Sequence, residues 1–344
     1  MTASIKTRFM VISDTHGRNF KSESMPHESV DIIIHCGDLT QHSKLDEFRE
    51  TLQMLKQLKA SLKLIIAGNH DFSLDTEAFK AKVEEANKII GEPLETDLVE
   101  REFGHEGEAK RLLQDAKEDG IIFLDEGTYT FALPNRDSLK VYASPYTPST
   151  ELWGFTYNDN NDHHFHIEPD TDVVITHGPS HGILDMSAER IRIGCSRLFA
   201  AVARCQPRMH CFGHVHGGWG AKMVTWRHII SDPPSHFRDI DNNRSWLIES
   251  LPKLRGTQFK SEDDKKRREE KIAHCRQQRY YHTSFFRNDG NHAEPKSTIF
   301  VNAAIEADGE LVQFPWVIDI DLPVMEATQA PKDVKRPVPN LSET

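Results

Sequence analysis

The sequence predicts an α/β chain whose strands sort into two sheets stacked as a layered sandwich. Two observations lead there. In the first half, short apolar runs at 7–12, 30–35, 61–67 and 121–124 alternate with segments of helical periodicity at 44–59, 76–90 and 108–118. Strands that alternate with helices pair in parallel through βαβ crossovers. From residue 128 onward the pattern changes: strand candidates at 128–133, 139–144, 172–176, 208–212, 221–230, 298–303 and 316–322 follow one another with a single helix, 195–205, among them. Two clusters of strands with helices between them fit two sheets rather than one.

Each element has its own justification. In 44–59, Leu45, Phe48, Leu52, Leu55 and Leu58 recur at helical spacing with charges between them. Gly91 and Pro93 stop the helix at 76–90, Gly120 caps the one at 108–118, and Pro207 ends the one at 195–205. Residues 128–133 and 139–144 read as a hairpin around Pro134-Asn135. The stretch 231–296, with Pro233-Pro234 and the charge run 262–271, splits two strands that would pair if adjacent, so it reads as an insertion, partly helical or mobile. The reading is therefore one domain over 1–326 with an insertion at about 231–296. Residues 327–344 are polar, carry three prolines and no periodicity, and read as a flexible tail.

Composition narrows the function. The chain has 344 residues, 38% hydrophobic and 28% charged, enough for a sizeable core. Lys plus Arg number 42 against 53 Asp plus Glu, a formal charge of −11, which disfavours nucleic-acid binding through a basic surface. No apolar run reaches the ~18 residues of a membrane span, and no apolar stretch follows a basic start at the N-terminus. Five widely spaced cysteines suit a reducing compartment, so a cytoplasmic location is expected.

The 19 histidines carry the chemistry. Five strand candidates end in metal-ligand residue types: Asp14-Thr15-His16-Gly17, Gly37-Asp38, Gly68-Asn69-His70-Asp71, His177-Gly178-Pro179 and Gly213-His214-Val215-His216-Gly217. Loops at the carboxyl ends of strands are where α/β proteins place their sites. Carboxylate, amide and imidazole without thiolate suit Mn²⁺ foremost, with Fe or Zn²⁺ as alternatives. Asp-x-His and His-x-His, read as extended segments, would turn residues i and i+2 the same way, toward one ion. Seven ligands exceed one tetrahedral ion and fit two ions sharing a carboxylate, about 3.5–4 Å apart. Singly each motif is weak, since Asn and Asp also serve turns; their joint occurrence behind successive strands is what points to a dimetal site.

In order and spacing these motifs resemble the calcineurin-like metallophosphoesterases, over about 8–225 and again 298–322. Ser144-Pro145-Tyr146-Thr147-Pro148, Trp153-Gly154-Phe155 and Thr176-His177-Gly178-Pro179 are similar to the metallophosphoesterase-domain-containing subgroup, whose members are mostly assigned phosphodiesterase activity. The resemblance implies a four-layer αββα sandwich of two mixed β-sheets flanked by helices. It implies that Asp14, His16, Asp38 and His216 hold one metal and Asp38, Asn69, His177 and His214 the other, that His70 donates a proton to the leaving group, and that Asp71 orients His70. It further implies a phosphodiesterase acting by in-line attack of a metal-bridging hydroxide on a small phosphate ester, a nucleotide included. A phosphomonoesterase, or a metal-dependent nucleotide-binding or scaffold protein with negligible turnover, are the alternatives. The protein-phosphatase extension of the second motif, Gly-Asp-x-Val-Asp-Arg-Gly, is replaced here by Gly37-Asp38-Leu39-Thr40-Gln41-His42, which argues against protein dephosphorylation. Some relatives carry Gly at the position of His214; here the His is present. Arg18 and His181 are further candidates for binding substrate, while His163, His164 and His166 read as a polar surface loop.

Overall fold

In the computed structural model, which describes residues 4–134, 138–158, 163–256, 261–287 and 296–323, the chain opens with β1 (Ser4–Ile12), β2 (Ser29–His35), α1 (Leu45–Gln57) and β3 (Lys59–Ile65). Helices α2 (Thr76–Ile90), α3 (Thr96–Phe103) and α4 (Glu108–Asp115) follow, then β4 (Ile121–Phe123), the antiparallel pair β5 (Gly127–Ala132) and β6 (Ser138–Ser144), and the short strands β7 (Thr147–Pro148) and β8 (Thr156–Tyr157). Next come β9 (Val173–Thr176), α5 (Ser196–Cys205), β10 (Met209–Phe212) and β11 (Gly220–Thr225). The last part holds β12 (Trp246–Ser250), α6 (Leu251–Arg255), α7 (Glu262–Gln278), β13 (Tyr281–Phe285), β14 (Ser297–Asn302), a ribbon of β15 (Glu306–Ala307) and β16 (Glu310–Leu311), and β17 (Trp316–Pro323).

Local chemistry explains the ends of these elements. The Glu47 carboxylate accepts the backbone N–H groups of His42 and Lys44 at 2.9 and 3.0 Å and so covers the start of α1. Asp75 caps α2 by accepting from Ala78 N at 3.2 Å, and Gly91 closes it at φ +86°. Gly120 closes the turn after α4 at φ +74°. The helix α3 lies in a stretch where the apolar spacing is too sparse to mark one.

Two large mixed sheets result, in the orders β13-β17-β1-β2-β3-β4 and β12-β11-β14-β10-β9-β6-β5. Strand alternation then sets the layers. Phe9, Val11, Ile32, Ile34, Leu64 and Ile66 face the interior between the sheets, where they join Val141, Ile175, Cys211 and Val301. The alternate residues Met10, Ile12, Ile33 and Ile65 pack outward against Leu45, Phe48, Leu52 and Leu55 of α1. On the other side, Val174, Phe212 and Phe300 pack on Leu198, Phe199 and Val202 of α5. Strand segments buried on both faces favour apolar residues throughout, which is why Phe9–Ile12 of β1 and Ile32–Ile34 of β2 read as unbroken hydrophobic runs. The architecture is the expected αββα sandwich, and β11 pairs antiparallel with β14 across the split.

The segment between those two strands is more than an appendage. It places β12 on the edge of one sheet beside β11 and β13 on the edge of the other beside β17. Tyr281 of β13 packs on Trp316 with ring centroids 4.7 Å apart, and Trp316 stacks on Trp219 at 4.9 Å, so the insertion reaches the core. Its residues 257–260 and 288–295, the tail expected at 327–344, and Asn135 of the hairpin turn lie outside the described residues.

Tyr281→Ala is expected to lower stability in urea by about 1–3 kcal/mol. A change within about 0.5 kcal/mol, as at an ordinary surface position, would show that β13 is not integral to the core.

Candidate metal centre

All the motif residues lie just past the carboxyl ends of parallel strands. Asp14 and His16 follow β1, Asp38 follows β2, and Asn69 and His70 follow β3, all from one sheet. His177 follows β9 and His214 and His216 follow β10, from the other. The sandwich brings the two sets of loops together at one rim.

The backbone there is not extended, contrary to the reading of Asp-x-His and His-x-His as strand-like pairs. Asp14, His16, Asp38 and His214 all adopt left-handed conformations, with φ of 56°, 50°, 52° and 64°. Such values cost non-glycine residues of order 1–3 kcal/mol each and persist only where the surroundings impose them. The consequence differs between the motifs. Asp14 and His16 still converge, in one cluster with His216. His214 and His216 diverge, because His214 joins Asp38 and His177 instead. The rim also needs room: a Cβ added at Gly213 would fall on the Asp14 carboxylate, and one at Gly68 on that of Asp38. Close approach, rather than turn conformation, is what demands glycine at those two positions.

Three of the four imidazoles are aimed from behind. His16 Nδ1 lies 3.2 Å from the Thr40 carbonyl oxygen and His177 Nδ1 lies 2.9 Å from that of Cys36. A carbonyl can only accept, so both Nδ1 atoms carry a proton and both Nε2 atoms face the centre. The Nδ1 of His216 lies 2.9 Å from Glu306 Oε2, with the same outcome. On the inner side, His16 Nε2 and His216 Nε2 stand 3.4 Å apart, and His216 Nε2 is 3.3 Å from Asp14 Oδ1. Asp38 Oδ2 lies 3.9 Å from His16 Nε2 and 3.4 Å from His177 Nε2, so it faces both clusters, while Asp38 Oδ1 accepts the His70 N–H at 2.8 Å. Asn69 Oδ1 receives His177 Nε2 and His214 Nδ1, each at 2.9 Å.

This arrangement fits divalent cations. Carboxylate oxygens, an amide oxygen and inward-facing ring nitrogens meet with few protons of their own, and lone pairs facing lone pairs are stable only when a positive charge sits among them. In the metal-free protein, extra protons supply that charge. Burial disfavours an imidazolium at His177, yet the Asp38 carboxylate raises its pKa to about 9. Burial acts against His216 as well, but Asp14 and Glu306 raise it to about 9. His214 is lowered by burial and by the charge of His177 to about 4, which the nearby Asp38 and Asp14 carboxylates only partly offset. Burial raises the carboxyls of Asp14 and Asp38, and the histidines opposite outweigh it, holding both below the usual carboxylate range.

His70 stands at the edge of this group. Its backbone is tied to Asp38, its ring meets that of His16 edge-on at 4.8 Å, and it lies over Trp153 with centroids 4.4 Å apart. Its Nδ1 is 2.8 Å from the Gln41 carbonyl, and His70 also forms a third group of potential ligand atoms with His16 and Asp38. The partner of the ring is therefore Gln41 and not Asp71. The buried Asp71 carboxylate instead accepts the N–H groups of Leu39, Thr40 and Gly68 and the Thr40 hydroxyl, at 2.7–3.0 Å. Four donors saturate it, so it ties the second motif loop to the third and does not touch the His70 ring. Burial and the neighbouring Asp38 charge bring its pKa up to about 7.

Arg18 and His181 are not brought into this cluster. Arg18 is exposed with its guanidinium against Gly309, and His181 Nδ1 lies 3.1 Å from the Gly194 carbonyl with its ring beside His236. His163 is half-buried, stacked on Tyr146 at 4.3 Å and 2.8 Å from Glu126, while His164 and His166 are exposed. Three supporting residues had no signal in the sequence. Glu306 is one. The others are the buried, neutral His35 and His210, each with a pKa lowered by burial to about 3. They bond Thr15 and Thr176, at 2.9 and 2.8 Å, which adjoin the motif residues. A lone histidine or glutamate far along the chain carries no spacing to betray it.

The model of the calcineurin-like phosphoesterase family matches residues 7–218. Metallophosphoesterase domain-containing protein 1 of human and of mouse is 31% identical over 225 residues, 62% of this chain and 62% of each relative's own length. A protein of Emericella nidulans named probable rhamnogalacturonate lyase C is 30% identical over 64% of this chain, a match that takes up 18% of that protein. A purple acid phosphatase from yellow lupin seeds aligns with 92% of this chain and 47% of its own, at 12% identity and a TM-score of 0.38.

Metal binding at pH 7.5 is expected to release roughly two protons, because His177 and His216 must give theirs up before they can ligate. The apparent affinity should rise with pH and level off only above about 9, as both histidines become neutral. Calorimetric titration with Mn²⁺ in two buffers of different ionisation enthalpy measures the proton count; a value of zero would contradict this account.

Proposed function

The chain belongs to the calcineurin-like phosphoesterase family, and from that premise we propose that it is a dimetal phosphodiesterase acting on a small phosphate ester, with nucleotides among the candidate substrates. The observation that carries the reading is the pair of acceptor-lined clusters joined by one carboxylate, Asp14–His16–His216 and Asp38–His177–His214. Asn69 completes the second. When bound, two divalent ions supply an activated water and neutralise charge on the phosphoryl oxygens. The all-oxygen-and-nitrogen donor set suits Mn²⁺, then Fe or Zn²⁺.

The chain's own residues supply the rest. Asp38 presents Oδ2 to both clusters and fixes His70 through Oδ1. The Gln41 carbonyl engages His70 Nδ1, so in the imidazolium form Nε2 carries the transferable proton. Handing it to the departing oxygen leaves a neutral ring in the tautomer that Gln41 already favours. Trp153 lies under the ring, and the Lys82 ammonium sits over Trp153 at 4.0 Å, which restricts the imidazole's rotation.

All five cysteines are free, in keeping with a cytoplasmic location, and no helix among the described residues is long and apolar enough to cross a membrane. Turnover of bis(p-nitrophenyl) phosphate against p-nitrophenyl phosphate with Mn²⁺ tests the reading. Diester preference is expected; monoester preference would favour a phosphomonoesterase, and inactivity on both a nucleotide-binding or scaffold role.

His70→Ala should depress hydrolysis of an alkyl phosphodiester by roughly 10²–10⁴-fold, the usual contribution of general acid catalysis. A nitrophenyl diester should lose far less, since nitrophenolate departs unprotonated, and metal content should be unchanged. Equal losses on both substrates would remove the proton-donor role.

A further inference from the structure

We infer that Glu306 is a positioning residue for one of the two cations: it orients His216, and through His216 it completes the Asp14–His16–His216 cluster. The inference rests on the dimetal reading above and adds to it a residue lying far outside the segment 7–218 that the family model matches.

The route by which the chain delivers Glu306 is specific. Past the end of β14, Ala304 bridges Ser13, and the Ile305 N–H donates to the Ser13 carbonyl at 3.1 Å. Ser13 immediately precedes Asp14, so the ribbon β15–β16 is anchored at the ligand loop itself. Glu306 then faces Leu311 across the ribbon. Its carboxylate is held at both oxygens: Oε1 accepts the Gly309 N–H at 2.5 Å, and Oε2 lies 2.9 Å from His216 Nδ1. A carboxylate fixed at one oxygen by the backbone presents the other in a defined direction.

His216 needs this more than its counterparts do. Its side chain is 33% exposed, against 4% for His16 and 0% for His177. The latter two are braced by buried surroundings and by backbone carbonyls. His216 would be free to swing, and the Glu306 carboxylate is the group that holds Nδ1 as the protonated nitrogen and turns Nε2 inward. A carboxylate behind a ligating imidazole also makes it a better donor than a carbonyl does.

The test is Mn²⁺ binding, by calorimetry and by electron paramagnetic resonance counting of bound ions, to the wild type, Glu306→Ala and Glu306→Gln. Glutamine retains the length and can satisfy Gly309 with its one oxygen, but then offers His216 an amide nitrogen that cannot accept. The wild type should bind two ions. Each variant should bind one with wild-type affinity and the other roughly 10- to 100-fold more weakly, the usual loss for a partner behind a ligand. The melting temperature of metal-free Glu306→Gln should fall by no more than a few degrees, the loss of one partly exposed ion pair. Two ions at wild-type affinity in both variants would overturn the inference while leaving the dimetal reading intact. So would an equal weakening of both ions with a metal-free melting temperature lowered by more than that, which would mark Glu306 as a general brace. A wild type that binds no ion would overturn the dimetal reading, and this inference with it.

Discussion

Lone pairs directed at one another are the constraint on which this molecule is organised. Asp14, Asp38, Asn69 and the inward nitrogens of four histidines occupy a space in which they have few protons to share. Water would separate such groups, and only a rigid frame can hold them together. The frame is assembled by outward hydrogen bonds: Thr40 and Cys36 carbonyls behind His16 and His177, and backbone N–H groups on the carboxylates. The repulsion that remains is what a cation relieves. Folding bears part of the cost of that frame in advance, as left-handed backbone at Asp14, His16, Asp38 and His214.

The two-sheet sandwich is what makes such a frame feasible. Each sheet alone offers one row of strand ends. Stacking the sheets through Val11, Ile34, Ile175 and Cys211 sets the row carrying Asp14, Asp38 and Asn69 opposite the row carrying His177, His214 and His216. Asp71 does for the loops what the core does for the strands. Saturated by Leu39, Thr40 and Gly68, it locks the second motif against the third, while its neighbour His70 is fixed by its own N–H on Asp38 Oδ1 rather than by Asp71. The insertion contributes from a distance, since β12 and β13 cover one edge of each sheet and Tyr281 reaches the tryptophan pair at the core.

The chain order by itself determined the two-sheet class, the helices at 76–90 and 195–205, the pairing of the strands on either side of the insertion, and the seven candidate ligands with His70 beside them. Those features are local: apolar periodicity, a capping residue or a stop such as Gly91 is written within a few positions of what it controls. Tertiary structure decided the rest. Which way His214 and His216 face depends on a left-handed turn that the dipeptide spacing does not encode. The transfer of Asp71 from its expected place behind His70 to the backbone of Leu39 and Thr40, with the Gln41 carbonyl in its stead, follows from how two loops meet. Glu306 reaches His216 only because β14 and β1 deliver their carboxyl ends to the same rim. Contacts between residues 90 positions apart leave no period in one sequence; they exist only once burial has chosen which faces meet.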